Sequence, residues 1–145
     1  MKLFLMRHCE AEPARTTDFA RALTNHGRQQ AEERARQTRE AGFIPDAIVH
    51  SPLVRAVETA TFFMEQYPEL PTLELSEVVD CDRYMFQVLT EMGYRAPLIV
   101  GHNPTISHLA SALAGRPLRF HTSGFAAFEV DNLPPTSATL TRFMN

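Results

Sequence analysis

The sequence predicts an α/β protein of three layers, with a mostly parallel central sheet flanked by helices and a C-terminal β-hairpin adding antiparallel character. Two observations predict it. Short apolar runs of strand length alternate with longer stretches of helical character, the pattern of parallel strands joined by crossover helices. The alternation then stops, and residues 125–130 and 138–143 flank a turn rich in Asn and Pro, which reads as an antiparallel pair. At 145 residues the chain suits one domain, residues 1–145, with no room for a cap insertion.

Each element has its own signal. Residues 2–6 form a short apolar run that ends abruptly in Arg7-His8-Cys9-Glu10, a strand emptying into a loop. Residues 11–23 show no period. Thr24 is then a plausible N-cap and Gly42 a plausible C′ residue for a polar helix over 25–41, whose Arg, Glu and Gln side chains read as a solvated face. Residues 46–50 suggest a second strand, and Ser51-Pro52 an N-cap followed by proline at the first helical position. Leu53, Ala56, Val57, Ala60 and Met64 then recur at helical spacing and form a core stripe. A strand over 71–75 and a helix over 84–92 follow. Leu98-Ile99-Val100 leads into Gly101-His102-Asn103-Pro104 and a helix carrying Ile106, Leu109, Ala110 and Leu113, ended by Gly115.

Composition narrows the function classes. Apolar residues make up 44% and charged residues 21%, as in ordinary globular proteins. A net charge of −3 supplies no field toward nucleic acid or an anionic membrane, so neither is an expected partner. The apolar start is too short for a signal peptide and runs into charge, and two cysteines make no disulfide framework; a cytoplasmic location is the default expectation. No His-x-His, His-Glu-x-x-His or comparable ligand spacing occurs, so no metal or other cofactor is expected.

Three strand ends carry the polar groups: Arg7-His8, then Ser51 and Arg55, then His102-Asn103. Ligands of open α/β sheets bind at the carboxyl ends of parallel strands, so these segments can converge. Two arginines grip phosphoryl oxygens bidentately, and helix N-termini near Pro52 and Pro104 add backbone donors. Guanidinium charges beside an imidazole disfavour its protonation and keep a nucleophilic lone pair available. Two histidines and two arginines at one site therefore point to phosphate, or to sulfate in its place.

The wording of these segments resembles the histidine phosphatases, also called the phosphoglycerate mutase-like superfamily. Leu5-Met6-Arg7-His8-Cys9-Glu10 resembles that family's Arg-His-Gly signature, with Cys9 as the departure. Leu23-Thr24-Asn25-His26-Gly27-Arg28-Gln29-Gln30-Ala31 resembles its Leu-Thr-x-x-Gly-x-x-Gln-Ala segment. Ser51-Pro52-Leu53-Val54-Arg55-Ala56-Val57-Glu58-Thr59-Ala60 resembles its Ser-Pro-Leu-x-Arg-Ala-x-x-Thr-Ala segment, and Val100-Gly101-His102-Asn103 its second histidine motif. The length and the His-Asn-Pro turn are most similar to the bacterial phosphohistidine phosphatases of the SixA type.

The resemblance implies that His8 is the nucleophile, that Arg7, Arg55 and His102 bind phosphate, and that no metal is used. Asn103 is a further candidate for phosphate binding. Relatives acting on phosphate esters place a carboxylate near the leaving oxygen; Glu77 has the best position among Glu77, Asp80 and Asp82, and an exposed loop carboxylate is the competing reading. Arg21 and Ser123 are candidates for the pocket mouth or for structural roles. At Cys9 the favoured reading is a small side chain tolerated at this turn; the competing one is a thiol beside two guanidinium groups with a lowered pKa, more open to oxidation.

The expected function is a metal-independent phosphatase working through a phosphohistidine on His8, with phosphohistidine on a protein such as a phosphorelay domain as substrate. A small-molecule phosphomonoesterase is the alternative. An inactive phosphate-binding or interaction module is disfavoured, because neither histidine nor either arginine is lost.

Overall fold

Six strands make one sheet in the order β3-β2-β4-β1-β5-β6. The computed structural model describes residues 1–13 and 17–145. In chain order the elements are β1 (Lys2–Arg7), α1 (Asn25–Glu40), β2 (Ala47–His50), α2 (Val54–Gln66), β3 (Thr72–Glu74), α3 (Arg83–Glu91), β4 (Pro97–Gly101), α4 (Thr105–Ala114), β5 (Phe125–Val130) and β6 (Ala138–Met144), with a 3-10 turn at Ser76–Val78. The pairs β3·β2, β2·β4 and β4·β1 are parallel; β1·β5 and β5·β6 are antiparallel. The α/β expectation with its antiparallel C-terminal hairpin is met.

Central strands are buried on both faces, which is why they read as unbroken apolar runs rather than alternating ones. Leu3 and Leu5 point to one side with Val49 and Ile99, and there Met85, Leu89, Ile106 and Ala110 of α3 and α4 cover them. Phe4 and Met6 point to the other with Ile48, Leu98 and Val100, under Ala31, Ala35, Ala56, Ala60 and Phe63 of α1 and α2. Two cores on opposite faces make the three layers.

The polar helix α1 is capped by Thr24, whose hydroxyl accepts the N–H of Gly27, and Gly42 follows its end at φ +83°. Its contact face is made of small residues, Gly27, Ala31, Ala35 and Thr38, so the charged side chains stay outward. At Gly27 a Cβ would stand 2.0 Å from the carbonyl oxygen of Glu10, so glycine lets the helix start against the loop after β1. One boundary departs from expectation. Helix α2 begins at Val54 after Leu53, with no side-chain cap, instead of at Pro52 after Ser51. The Ser51 hydroxyl has a different partner, described below.

Candidate active site

Strand pairing sets the site. In the parallel pair β1·β4, Met6 faces Val100 and Arg7 faces Gly101, so His8 and His102 leave the sheet side by side. Their ring centroids are 5.2 Å apart. His50 of β2 pairs with Val100 on the other side of β4, which brings Ser51 and the first turn of α2 to the same carboxyl edge. The four residues expected from sequence, Arg7, His8, Arg55 and His102, thus lie at one end of the three central strands.

The loop after β1 is tied on every side. His8 N–H donates to Gly101 O at 3.0 Å, His8 O accepts from Ser123 N–H at 3.3 Å, and Cys9 N–H donates to Thr59 Oγ1 at 3.1 Å. Thr59 Oγ1 in turn donates to Arg55 O at 2.8 Å, coupling the loop to the helix that carries Arg55. The ring of His8 is oriented by its Nδ1, 2.7 Å from Cys9 O. A carbonyl only accepts, so Nδ1 carries the proton and Nε2 keeps its lone pair. Burial is the main force that lowers the His8 pKa to about 3, with the charges of His102, Arg55 and Arg7 adding to it against the Cys9 carbonyl bond. Desolvation thus lowers the His8 pKa more than the guanidinium charges do.

His102 is held through its other nitrogen. Its Nε2 is 2.5 Å from Ser51 Oγ, which also accepts the N–H of Leu53 at 3.3 Å. The Leu53 bond takes one of the hydroxyl's two acceptor sites and leaves its proton free for Nε2; with the serine donating, the imidazole proton sits on Nδ1, which is then a donor. Burial first, and then Arg55, lower the pKa of His102 to about 4.

Both arginines share one design: the scaffold holds terminal nitrogens and leaves Nε without a partner. Arg7 Nη1 donates to Phe120 O at 3.0 Å. Arg55 Nη1 donates to Asp18 O at 3.0 Å and its Nη2 to Asp18 Oδ2 at 3.2 Å. Among the described residues, four buried side-chain polar atoms lack a partner: Arg7 Nε, Arg55 Nε, His102 Nδ1 and Asp46 Oδ1. Three of the four are donors on the residues expected to bind phosphate. Buried donors of this kind carry a desolvation cost of about 1–3 kcal/mol each until an acceptor meets them. An anion held between two guanidiniums and an imidazole N–H is the acceptor they suit.

The remaining candidates fall elsewhere. Asn103 donates from Nδ2 to Phe120 O at 2.9 Å and accepts at Oδ1 from Ser107 Oγ at 2.6 Å, so its amide is bound into the scaffold. Glu77, in the 3-10 turn after β3, lines a groove of about 560 Å³ with Asp80, Asp82, Tyr84 and Glu91; none of the four central residues lines that groove. Val78 of the same turn lies near Gly101, and the turn follows the carboxyl end of β3. Arg21 pairs with Asp18 at 3.2 Å, and Ser123, at φ +65°, supports His8 through its N–H. The lowered pKa weighed for Cys9 is overturned: its side chain is fully buried among apolar residues, and burial pushes the thiol up to about 12.

Sequence reasoning missed Asp18, Thr59 and the Phe120 carbonyl. Thr59 stands four residues after Arg55 within a quoted motif, so it was findable. Asp18 sits in the aperiodic segment, and a backbone acceptor leaves no mark in residue type. Among the described residues no group of three or more His, Cys, Asp or Glu side chains is placed to hold a metal ion, and no helix is long and apolar enough to cross a membrane.

Comparisons with known proteins identify the family and the fold. Residues 3–90 match the model of the histidine phosphatase superfamily (branch 1). A phosphohistidine phosphatase SixA homolog of Haemophilus influenzae is 31% identical over 87% of this chain and 86% of its own. The chain also matches the mitochondrial serine/threonine-protein phosphatase PGAM5 of Xenopus tropicalis, 35% identical over 47% of this chain but spanning 24% of that protein. The structure of a protein histidine phosphatase SixA complexed with tungstate superposes with a TM-score of 0.84, 25% identity, and coverage of 100% of this chain and 97% of the other.

Proposed function

Because the chain belongs to the histidine phosphatase superfamily, we propose that it is a metal-independent phosphatase whose nucleophile is His8 and whose substrate is phosphohistidine on a protein, such as a phosphorelay domain. The observation that carries this reading is the set of buried donors on Arg7, Arg55 and His102 gathered around an imidazole whose Nε2 lone pair is free of protons. The names of the relatives, phosphohistidine phosphatases matched over most of their length, support the substrate class.

The reaction has two displacements. His8 Nε2 attacks phosphorus, a P–N bond forms, and the bond to the leaving imidazole breaks as that nitrogen takes a proton. Arg7, Arg55 and the Nδ1–H of His102 stabilise charge spread over the equatorial oxygens, which is most of what phosphoryl transfer needs. Water then attacks the phosphohistidine, phosphate departs, and Nε2 regains its lone pair. In this reading the guanidiniums supply the positive charge.

A small-molecule phosphomonoesterase is the competing reading, favoured by one observation: the turn carrying Glu77 follows the carboxyl end of β3, on the sheet edge where a leaving-group acid would be needed. Metal-free protein assayed side by side on a phosphohistidine protein, p-nitrophenyl phosphate and a panel of sugar phosphates separates the two. Preference for the phosphohistidine protein is expected; faster turnover of a sugar phosphate would favour the competitor, and inhibition by EDTA would refute the metal-independent mechanism.

A further inference from the structure

We propose that Ser107, on α4 and outside the pocket, is a positioning residue for this reaction: through the Phe120 carbonyl it fixes how Arg7 meets the phosphoryl group. The inference rests on the phosphatase reading above and adds to it a residue no motif marks.

The segment from Leu118 to His121 belongs to no strand, and side chains satisfy its peptide groups. Leu118 N–H donates to Ser111 Oγ at 2.8 Å and Leu118 O accepts from it at 3.1 Å. Asn145 accepts from His121 N–H at 2.8 Å and donates to Arg119 O at 2.9 Å. Phe120 N–H donates to Ser107 Oγ at 3.0 Å. The Ser107 hydroxyl has one proton, which goes to Asn103 Oδ1 at 2.6 Å. That bond sets the amide orientation, so Asn103 Nδ2 donates to Phe120 O at 2.9 Å. Ser107, Asn103 and Phe120 close a ring, and Phe120 O, which takes the Asn103 bond within it, accepts a second bond from Arg7 Nη1 at 3.0 Å.

The consequence is geometric. A guanidinium is planar, so pinning Nη1 sets the plane and hence the aim of the unpartnered Nε edge. Phe120 is fully buried and its ring packs on Phe143 at 5.2 Å, so the carbonyl can drift only if its own hydrogen bonds fail. Removing the Ser107 hydroxyl leaves Phe120 N–H and Asn103 Oδ1 without partners and frees the amide to turn. Arg7 then loses its fixed acceptor while every group that touches the anion is still present.

The test is a double-mutant cycle read by orthovanadate affinity, from titration calorimetry, and by kcat/KM on p-nitrophenyl phosphate. Ser107→Ala is expected to weaken both by about tenfold in the wild-type background and by less than about twofold in Arg7→Ala, the signature of coupled sites. Ser107→Thr, which keeps the hydroxyl, is expected to restore both to within about twofold. Ser111→Ala removes two bonds from the same segment without touching the ring; it should lower the melting temperature yet leave vanadate affinity within about twofold. Equal losses in the wild-type and Arg7→Ala backgrounds, or an unchanged Ser107→Ala protein, would overturn the proposal. Turnover by His8→Ala would refute the nucleophile assignment instead, and the vanadate cycle would still report on Arg7 and Ser107.

Discussion

Ser51 Oγ lies 2.5 Å from Nε2 of His102, and this one contact holds the imidazole so that Nδ1 is its unpartnered nitrogen. Ser51→Ala leaves Nε2 buried without a partner and the tautomer unassigned. Such an unsatisfied group costs about 1–3 kcal/mol of stability, and loss of a fixed donor at the phosphoryl group is expected to lower kcat/KM by about tenfold. Chemical denaturation and steady-state kinetics on the same variant check both, and an unaltered kcat/KM would remove Nδ1 from the phosphate site.

Arg55 is expected to be intolerant of lysine. Its fork grips Asp18 with two nitrogens and leaves Nε unpartnered, free for the proposed phosphoryl group, a division that a single ammonium cannot reproduce. Arg55→Lys should lower kcat by about 10²–10³, the usual loss when a fixed contact to developing charge is removed. Near-wild-type kcat in this variant would place Arg55 outside the reacting centre.

The pH profile follows from burial. His8 titrates at about 3 when folded against an ordinary 6.5, so the nucleophile stays unprotonated across the usual assay range. After correction for the substrate's own second phosphate ionisation, near pH 6, kcat/KM should show no histidine limb between about pH 5 and 8. The linkage has a definite sign. Between pH 6.5 and 3 the unfolded chain binds the proton that folded His8 refuses, so stability falls as pH drops through that window, and His102, at about 4, adds to the slope. His8→Asn should flatten it, as measured by denaturation at pH 7 and pH 5.

Cys9 should be inert. With the side chain fully buried and the thiol pushed up to about 12, little thiolate exists to react. Native protein is expected to resist peroxide and to leave Cys9 unlabelled by iodoacetamide, whereas unfolded protein labels at both Cys9 and Cys81. Fast peroxide inactivation abolished by Cys9→Ser would contradict the burial argument.

The leaving group separates the substrate classes. An alkoxide leaves poorly without a positioned acid, whereas the nitrogen of a phosphoramidate is readily protonated. Glu77→Gln should therefore slow phosphohistidine hydrolysis only modestly, and a severe loss on a preferred alkyl ester would establish Glu77 as the acid and favour the small-molecule reading.

Much of the fold was legible because its signals are local. Buried parallel strands announce themselves as apolar runs, Thr24 and Gly42 bracket α1, and Gly115 ends α4 at φ +69°. The convergence of Arg7, His8, Arg55 and His102 was legible because they lie at or after strand ends that the topology brings together. What escaped depends on distant partners. The contact of Ser51 with His102 spans 51 residues and has no local signal, and the lowered pKa weighed for Cys9 fails because neighbouring arginines in sequence say nothing of where the thiol points. The Phe120 carbonyl and Asp18 act through geometry that residue type does not encode.

The central claim is covalent chemistry at His8, and one measurement reaches it directly. Wild-type protein mixed with a rapidly cleaved phosphodonor, quenched in alkali because phosphoramidates are acid-labile, and digested for mass spectrometry should carry one phosphoryl group on His8 Nε2. The same treatment of His8→Ala should give no phosphopeptide and no turnover. A phosphoryl group on any other residue, or wild-type turnover in His8→Ala, would contradict the account.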